Sequence, residues 1–156
     1  MNNKQLTVIV AVIIVIACVI AGALYFSSNQ LLKPEYKNIT IANATFEVPN
    51  TNGTLNDTNN ANYVEGGNYK SKEIFVGYVK VPAIGEKYLE KDYMFDLFFS
   101  GKYEMKKIDT INNIDYYQID GPNYKYTAYL KTGLNGVLVS GNDTETMAHV
   151  FKTMQI

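Results

Sequence analysis

The residues that could perform chemistry are few in this chain. His149 is the only histidine, and histidine is the side chain best suited to acid–base catalysis near neutral pH. Ser140 and Asp143 precede it, but both lie in or beside the predicted start of the final helix, and no nucleophile elbow is present. We therefore interpret His149 as a surface histidine that points partly to solvent, and we assign no catalytic residue.

Metal-binding patterns are equally sparse. Cys18 is the only cysteine and lies in an apolar run, so carboxylates are the remaining candidate ligands of the domain. No acidic stretch has the spacing of an EF-hand, and we expect no metal ligand and no cofactor. Two acidic pairs could still act as the two carboxylates of a glycosidase, namely Glu90 with Asp96 and Asp115 with Asp120. An enzyme with an unrecognised carboxylate site therefore remains an alternative.

Tyrosine is the compositional oddity, with 13 in the chain. Several of them crowd two predicted neighbouring strands, where an exposed row could stack on sugar rings or form a partner patch. The candidate binding face consists of Tyr116, Tyr124 and Tyr126. Tyrosine also suits half-buried strands, in which cross-strand aromatic pairs stabilise the sheet. Both interpretations stay open.

The charged residues argue against nucleic-acid binding. The formal net charge is −1, all 14 basic residues are lysine, and arginine is absent. Recognition of phosphate and guanine depends strongly on the planar guanidinium group, which lysine cannot reproduce. With no basic run either, we expect no nucleic-acid partner.

An apolar run occupies residues 6–26, LTVIVAVIIVIACVIAGALYF, and carries no charge and a single aliphatic hydroxyl, that of Thr7. Its length is that needed to cross about 30 Å of hydrocarbon at about 1.5 Å per residue. In lipid, a helix satisfies its own backbone hydrogen bonds. We therefore predict a transmembrane signal anchor at the cell membrane, with the lipid bilayer as its partner. Residues 1–5 form a short cytoplasmic N-terminus, because Lys4 and the α-amino group favour that side.

Two other interpretations of the apolar run remain open. Ala21-Gly22-Ala23 has the small-x-small form of a signal-peptide cleavage site, and cleavage there would release the domain. Val15-Ile16-Ala17-Cys18 loosely resembles a lipobox, although polar residues normally follow such a cysteine. A small buried cysteine in an apolar helix explains Cys18 more simply.

Five Asn-x-Ser/Thr sequons follow the apolar run. Such sequons accept glycans on surface loops of exported chains, so they favour a glycoprotein domain on the extracytoplasmic side. The candidate glycosylation sites are Asn38, Asn43, Asn52, Asn56 and Asn142.

Beyond the anchor, the patterns predict a polar tether at residues 27–37 and an extracytoplasmic domain at residues 38–156. Residues 50–72 are rich in Asn, Gly and Thr, and we predict a long mobile loop there. Alternating apolar residues predict strands elsewhere in the domain. They lie at residues 38–49 (a hairpin or bent strand), 73–81, 103–111, 114–119, 124–131 and 136–140.

Two helices are predicted from apolar residues at helical spacing. The first covers residues 86–100. The second begins at an Asn142 cap, with Glu145 as the returning carboxylate of a capping box. Together the elements predict an α+β fold: an N-terminal transmembrane helix followed by one antiparallel sheet domain covered by two helices.

The second half of the chain carries a resemblance. Residues 73–156, which end in GVLVSGNDTETMAHVFKTMQI, resemble the small exported domains of the PsbP/Mog1-like kind, in which a strand meander ends in a strand, a turn and an acidic-capped helix. The chain is also similar to uncharacterised anchor-plus-domain proteins of archaeal cell envelopes. The resemblance implies the fold and the location. It implies no catalytic residue, because such folds host unrelated activities.

These features predict a non-enzymatic envelope protein. The helix anchors the chain, glycans cover the loops, and the sheet domain has a structural role or binds another envelope protein or a glycan. One alternative is a small-molecule or glycan-binding module that uses the tyrosine-rich sheet face. The other is the carboxylate enzyme.

Overall fold

The computed structural model describes residues 34–59, 64–99 and 103–156. The chain divides into two compact units, Met1–Glu35 and Tyr36–Ile156, and the described strands and helices belong to the second. The predicted N-terminus (residues 1–5), anchor (6–26) and tether up to residue 33 lie outside the described residues. Within the described ranges, no helix is long and apolar enough to cross a membrane.

The described domain is built from strands and short helices. The strands are β1 (Tyr36–Ile41), β2 (Ala44–Pro49), β3 (Gly53–Asn59), β4 (Glu65–Ser71), β5 (Ile74–Lys80), β6 (Met105–Ile111), β7 (Ile114–Ile119), β8 (Tyr126–Thr132) and β9 (Asn135–Gly141). The helices are a 3₁₀ helix (Ala83–Leu89), α1 (Lys91–Phe99) and α2 (Thr144–Thr153).

Seven of the strands form one antiparallel sheet in the spatial order β3–β4–β5–β9–β8–β7–β6, and β1 and β2 form a separate hairpin. The sheet consists of two meanders, β3–β4–β5 and β6–β7–β8–β9, joined where β5 pairs with β9. This pairing runs from Ile74 opposite Gly141 to Lys80 opposite Asn135. The tight turns carry the residues that such turns require: Asn112 and Asn113 both have positive φ between β6 and β7.

The predicted fold class is wrong, because the described domain is mostly β rather than a single sheet covered by two helices. Much of the difference lies in residues 50–72, which form β3 and β4 instead of a mobile loop. Their polar residues pair in register, with Asn56 opposite Asn68 and Asp57 opposite Gly67. Tyr69 adds a buried ring, so ladder hydrogen bonds and one aromatic anchor replace the apolar alternation that a strand usually shows.

The helix predicted at residues 86–100 is two separate helices. The 3₁₀ helix ends at Leu89, the following residue Glu90 has an extended backbone (φ −64°, ψ 141°), and α1 begins at Lys91. The extended residue changes the direction of the chain, so the apolar stripe of the sequence does not lie on one continuous helical face.

The final helix is present, but its predicted cap is wrong by one residue. Asp143 caps α2 and accepts hydrogen bonds from the backbone N–H groups of Glu145 and Thr146. Burial acts to raise the pKa of Asp143, but these hydrogen bonds and that of the Thr146 hydroxyl hold it below its usual value. The Asn142 side chain instead accepts a hydrogen bond from the Lys125 backbone N–H at 3.2 Å.

The larger core lies on the sheet face covered by the β1–β2 hairpin and α2, named here the hairpin face. Alternate residues of β5 and β9, such as Val76 and Val139, point to this face and are fully buried. Phe46 of β2 and Phe151 of α2 pack on them. Each such side chain stabilises the fold by about 1.5–3 kcal/mol when buried.

The opposite face, named the α1 face, is covered by the 3₁₀ helix and α1 over only part of its width. Leu89 and Phe95 pack there against Tyr129 and Leu138. The Tyr129 hydroxyl donates to the Leu89 carbonyl at 2.6 Å, and burial raises the pKa of Tyr129 to about 12, so the hydroxyl keeps its proton. Beyond this cluster, the described helices leave the sheet face uncovered.

Candidate functional site

A groove runs along the α1 face and consists of three adjoining cavities. We name it the α1 groove and its three cavities, in order, the neutral end, the middle and the basic end. Phe98 lines both the neutral end and the middle. Four other residues line both the middle and the basic end: Lys70, Pro122, Asn123 and Tyr124.

The neutral end is a cavity of about 290 Å³ between α1, the 3₁₀ helix and strands β4 and β5. Its wall is aromatic: Tyr88, Tyr93 and Phe98 remain 45%, 48% and 38% exposed. The Tyr88 and Tyr93 rings lie 5.2 Å apart between centroids, at an interplanar angle of 54°. Across from this wall, β4 contributes Gly66 and Asn68, and none of the described residues that line the cavity is Asp, Glu or Lys. The neutral end thus combines aromatic faces with amide and phenol groups.

Phe98 is positioned by a glycine on the neighbouring strand. A Cβ atom at Gly77 would lie 3.3 Å from the Phe98 ring and 3.1 Å from the Phe75 ring. The two rings meet edge to face, with centroids 5.9 Å apart. The missing side chain therefore lets Phe98 lie over β5, where it separates the neutral end from the middle.

The middle of the groove is a cavity of about 240 Å³ with a largely apolar lining, including Phe75, Ile119 and Leu138. Ser140 also lines it, but its hydroxyl lies 3.0 Å from the Thr127 hydroxyl, and both residues are buried. Because the Ser140 hydroxyl is engaged within the sheet and no base contacts it, we interpret it as a structural group rather than a nucleophile.

The basic end is a cavity of about 570 Å³ at the β4–β5 turn. Lys70 and Lys72 line it together with the amides of Asn52 and Asn123, and no carboxylate is among the lining residues. Tyr124 forms part of its floor. The Tyr124 hydroxyl donates to the Ser71 carbonyl at 2.6 Å, and burial raises the pKa of Tyr124, which keeps this donor protonated.

The three tyrosines predicted as a binding face do not share a surface. Tyr116 is fully buried on the hairpin face, where it meets Phe151 edge to face, and burial raises its pKa to about 12. Tyr126 is half-buried and packs against the same core. Only Tyr124 lines the α1 groove, with 9% of its surface exposed.

The five predicted glycosylation sites are all exposed residues of the described chain: Asn38, Asn43, Asn52, Asn56 and Asn142. Three of them have side chains engaged elsewhere: Asn43 accepts from the Tyr78 hydroxyl at 3.3 Å, Asn56 donates to the Asn68 side chain at 3.3 Å, and Asn142 accepts from Lys125. Asn52 lines the basic end of the groove. A glycan on Asn52 would therefore compete with any ligand there.

Except for Ser140, which lines the middle, the candidate catalytic groups lie apart from the groove lining. His149 on α2 contacts Glu47, and Asp143 caps the same helix, so they form no triad with Ser140. One member of each acidic pair contacts a lysine: Glu90 lies 2.8 Å from Lys131, and Asp115 lies 2.7 Å from Lys107. Hydrogen bonds from Lys107 and Thr110 lower the pKa of Asp115. Among the residues described, no group of three or more His, Cys, Asp or Glu could hold a metal ion.

The residues of the neutral end were missed by sequence reasoning. Tyr93 and Phe98 belong to the apolar stripe predicted to pack on the core, and Tyr88 attracted no interpretation. The stripe itself carried a usable signal, because its aromatic residues outnumber those that one short amphipathic helix needs for packing. The division at Glu90, which leaves these rings exposed, has no comparable signature in the sequence.

Comparison with known proteins adds no identification. Neither the protein-family models nor the curated proteins contain a match to this chain. The function is therefore inferred from the groove and from the sequence features that surround it.

Proposed function

We propose that this chain is a non-enzymatic binding domain of the cell envelope that holds a saccharide in the α1 groove. Residues 6–26 anchor it to the membrane, and the domain faces the extracytoplasmic side. The apolar run and the sequons support the location. The observation that carries the binding role is the exposed aromatic wall of Tyr88, Tyr93 and Phe98 along an uncharged cavity.

A sugar ring matches the chemistry of the neutral end. One face of a pyranose presents C–H groups that pack on aromatic rings, and its hydroxyls need donors and acceptors at the rim. The Tyr88 and Tyr93 rings provide the packing surface, while Asn68 and the phenol hydroxyls can hydrogen-bond the rim. The volume of about 290 Å³ lies at the lower end of the range for small-ligand sites.

The positions of the reactive groups favour binding over catalysis. His149 and the acidic pairs discussed above do not line the three cavities of the groove. The lining hydroxyl of Ser140 is bonded within the sheet. A ligand in the groove would therefore contact rings, amides and lysines rather than an acid–base pair.

A second candidate is an envelope protein as partner, favoured by the exposure of Ile84. This side chain is 88% exposed on the 3₁₀ helix that also carries Tyr88. Aromatic and aliphatic side chains left exposed together are typical of protein interfaces. An Ile84→Asp variant separates the candidates, because it should weaken a protein interface and leave a saccharide in the groove largely undisturbed.

The test uses the full chain in lipid nanodiscs, since sugar-based detergents would compete for the groove. Binding to an array of neutral and acidic oligosaccharides is compared for the wild type, Tyr93→Ala and Leu55→Ala. Leu55 is the matched control, with 47% exposure on β3, outside the groove lining. We expect Tyr93→Ala to weaken binding about tenfold, because a lost aromatic contact costs about 0.5–1.5 kcal/mol. Absence of saccharide binding, or equal binding by Tyr93→Ala, would reject the proposal.

A further inference from the structure

The α1 groove changes from uncharged to basic along its length. Among the described residues, its neutral end is lined by no ionisable side chain besides tyrosine, whereas its far end is lined by two lysines. The intervening middle is largely apolar but is also lined by Lys70, one of the residues that it shares with the basic end. A ligand that extends along the groove would therefore meet aromatic rings first and positive charge last.

The two lysines of the basic end are available for a ligand. In the described part of the chain, neither Lys70 nor Lys72 forms an ion pair or a side-chain hydrogen bond, and both are exposed. Other lysines are engaged: Lys107 contacts Asp115 at 2.7 Å, and Lys131 contacts Glu90 at 2.8 Å. None of the described residues that line the cavity around Lys70 and Lys72 carries a carboxylate that could neutralise them.

The backbone around these lysines is held in place by Ser71. The Ser71 hydroxyl accepts hydrogen bonds from the N–H groups of Glu73 and Ile74, at 3.2 and 3.1 Å, and donates to the Ile74 carbonyl. The Ser71 carbonyl accepts from the Tyr124 hydroxyl. Hydrogen bonds thus fix the backbone of the turn that carries Lys72, so this backbone needs little ordering when a ligand binds.

We infer that the ligand of the α1 groove is an acidic saccharide whose carboxylate is bound by Lys70 and Lys72. The amide of Asn123 flanks the charge and supplies donors for a carboxylate or a neighbouring hydroxyl. Each lysine ammonium binds a carboxylate as a compact point charge and needs no bidentate geometry, and this chain has no arginine. The inference rests on the proposed function, because it names the ligand class of the same groove.

The experiment compares tetragalacturonate with its fully methyl-esterified form, which has the same sugar rings and no charge. Dissociation constants are measured by calorimetry for the full chain in phosphatidylcholine nanodiscs at two salt concentrations. The test variant is Lys70→Gln/Lys72→Gln. The matched control, Lys106→Gln/Lys152→Gln, removes the same charge from two exposed lysines outside the groove lining.

We expect the wild type and the control to bind the acid about five- to tenfold more tightly than the ester, with a preference that weakens as salt increases. The test variant should bind both forms equally, at the affinity of the ester. Equal binding of acid and ester by the wild type, with Tyr93→Ala still weakening both, would overturn this inference and leave the proposed function standing. Binding of neither form would overturn the inference, and an array on which no saccharide binds would reject the proposed function as well.

Discussion

The imidazole of His149 and the carboxylate of Glu47 are in contact, with Nε2 2.9 Å from Oε2, across 102 positions of the sequence. The pair joins α2 to β2 of the hairpin. The His149 ring also stacks on Tyr36 of β1, with centroids 3.8 Å apart and planes 22° from parallel. The only histidine therefore ties the hairpin to the last helix.

Replacement of His149 should therefore cost stability. We expect His149→Ala to lower the free energy of unfolding by about 1 kcal/mol, because it removes both a ring stack and a half-exposed polar pair. His149→Phe keeps a ring for the stack and should lose less. Denaturant midpoints of the two variants test this, and an alanine variant as stable as the wild type would show that the contacts contribute nothing.

We expect the contribution of Asp143 to the stability of α2 to depend on pH. An N-cap contributes about 1 kcal/mol, and we expect Asp143→Ala to lose this amount at neutral pH. Since the folded pKa of Asp143 lies below its ordinary value of 3.8, the charge-dependent part of the contribution is complete above pH 3.8. It should disappear as the pH falls from 3.8 through the lower folded pKa, because both states are then protonated.

The matched control for this prediction is Asp143→Asn, since asparagine caps helices about as well as aspartate and does not titrate. Unfolding free energies are measured for the three proteins at neutral pH and at several acidic pH values. The difference between the wild type and Asp143→Asn should change across this window. A difference independent of pH would contradict the assignment of the cap.

Gly67 should be intolerant of a side chain, which tests whether residues 50–72 are strands. A Cβ atom there would lie 2.3 Å from the Asn56 carbonyl oxygen and 3.0 Å from Ile41. We expect Gly67→Ala to lower the free energy of unfolding by about 1–3 kcal/mol, as overpacking does. Gly121→Ala is the control, because its Cβ would meet no atom closer than 3.5 Å. If residues 50–72 were a mobile loop, Gly67→Ala would be as harmless as the control Gly121→Ala.

Phe151 should be among the most sensitive positions of the hairpin-face core. Its ring is 7% exposed and meets the buried ring of Tyr116. We expect Phe151→Ala to cost about 3–5 kcal/mol, which is a large share of the stability of a small domain. The neighbouring Lys152→Ala should change the denaturant midpoint little, because Lys152 is exposed. A small effect at Phe151 would mean that α2 is not part of the core.

Strands β5 to β9 could be predicted from the sequence because their signals are local. Apolar alternation marks β5 and β7, and Asn112-Asn113 marks the turn between β6 and β7. β3 and β4 lack this alternation. Their stability comes from pairing with each other and with β5, and no local pattern records a partner that lies elsewhere in the sequence.

The groove was even less predictable from the sequence, because it depends on the part of the α1 face that the described helices leave uncovered. The sequence shows that Tyr93 and Phe98 recur at helical spacing, but their exposure follows from the direction that α1 takes after Glu90. Lys70 lies in the segment predicted as a loop, where a lysine does not indicate a binding site. The strand register alone brings it beside Asn123 and Tyr124.

The membrane anchor remains a prediction that fractionation can test. We expect the full chain to stay with membranes after washing in alkaline carbonate, because an apolar helix of this length inserts far more firmly than a peripheral contact. The control variant is Cys18→Ala, which removes the lipobox-like cysteine. A soluble mature form beginning near Leu24 would favour a cleaved signal peptide.

The pairing of β5 with β9 also determines when the sheet can be completed during synthesis, in which the N-terminus of the chain emerges first. β5 ends at Lys80 and β9 begins at Asn135, so one edge of β5 has no partner until the last strand has been released. During that interval Ile74 and Val76 stand beside unpaired backbone groups, the combination that promotes strand addition between chains. The danger of aggregation therefore belongs to synthesis, and it ends when the final strand fills the middle of the sheet.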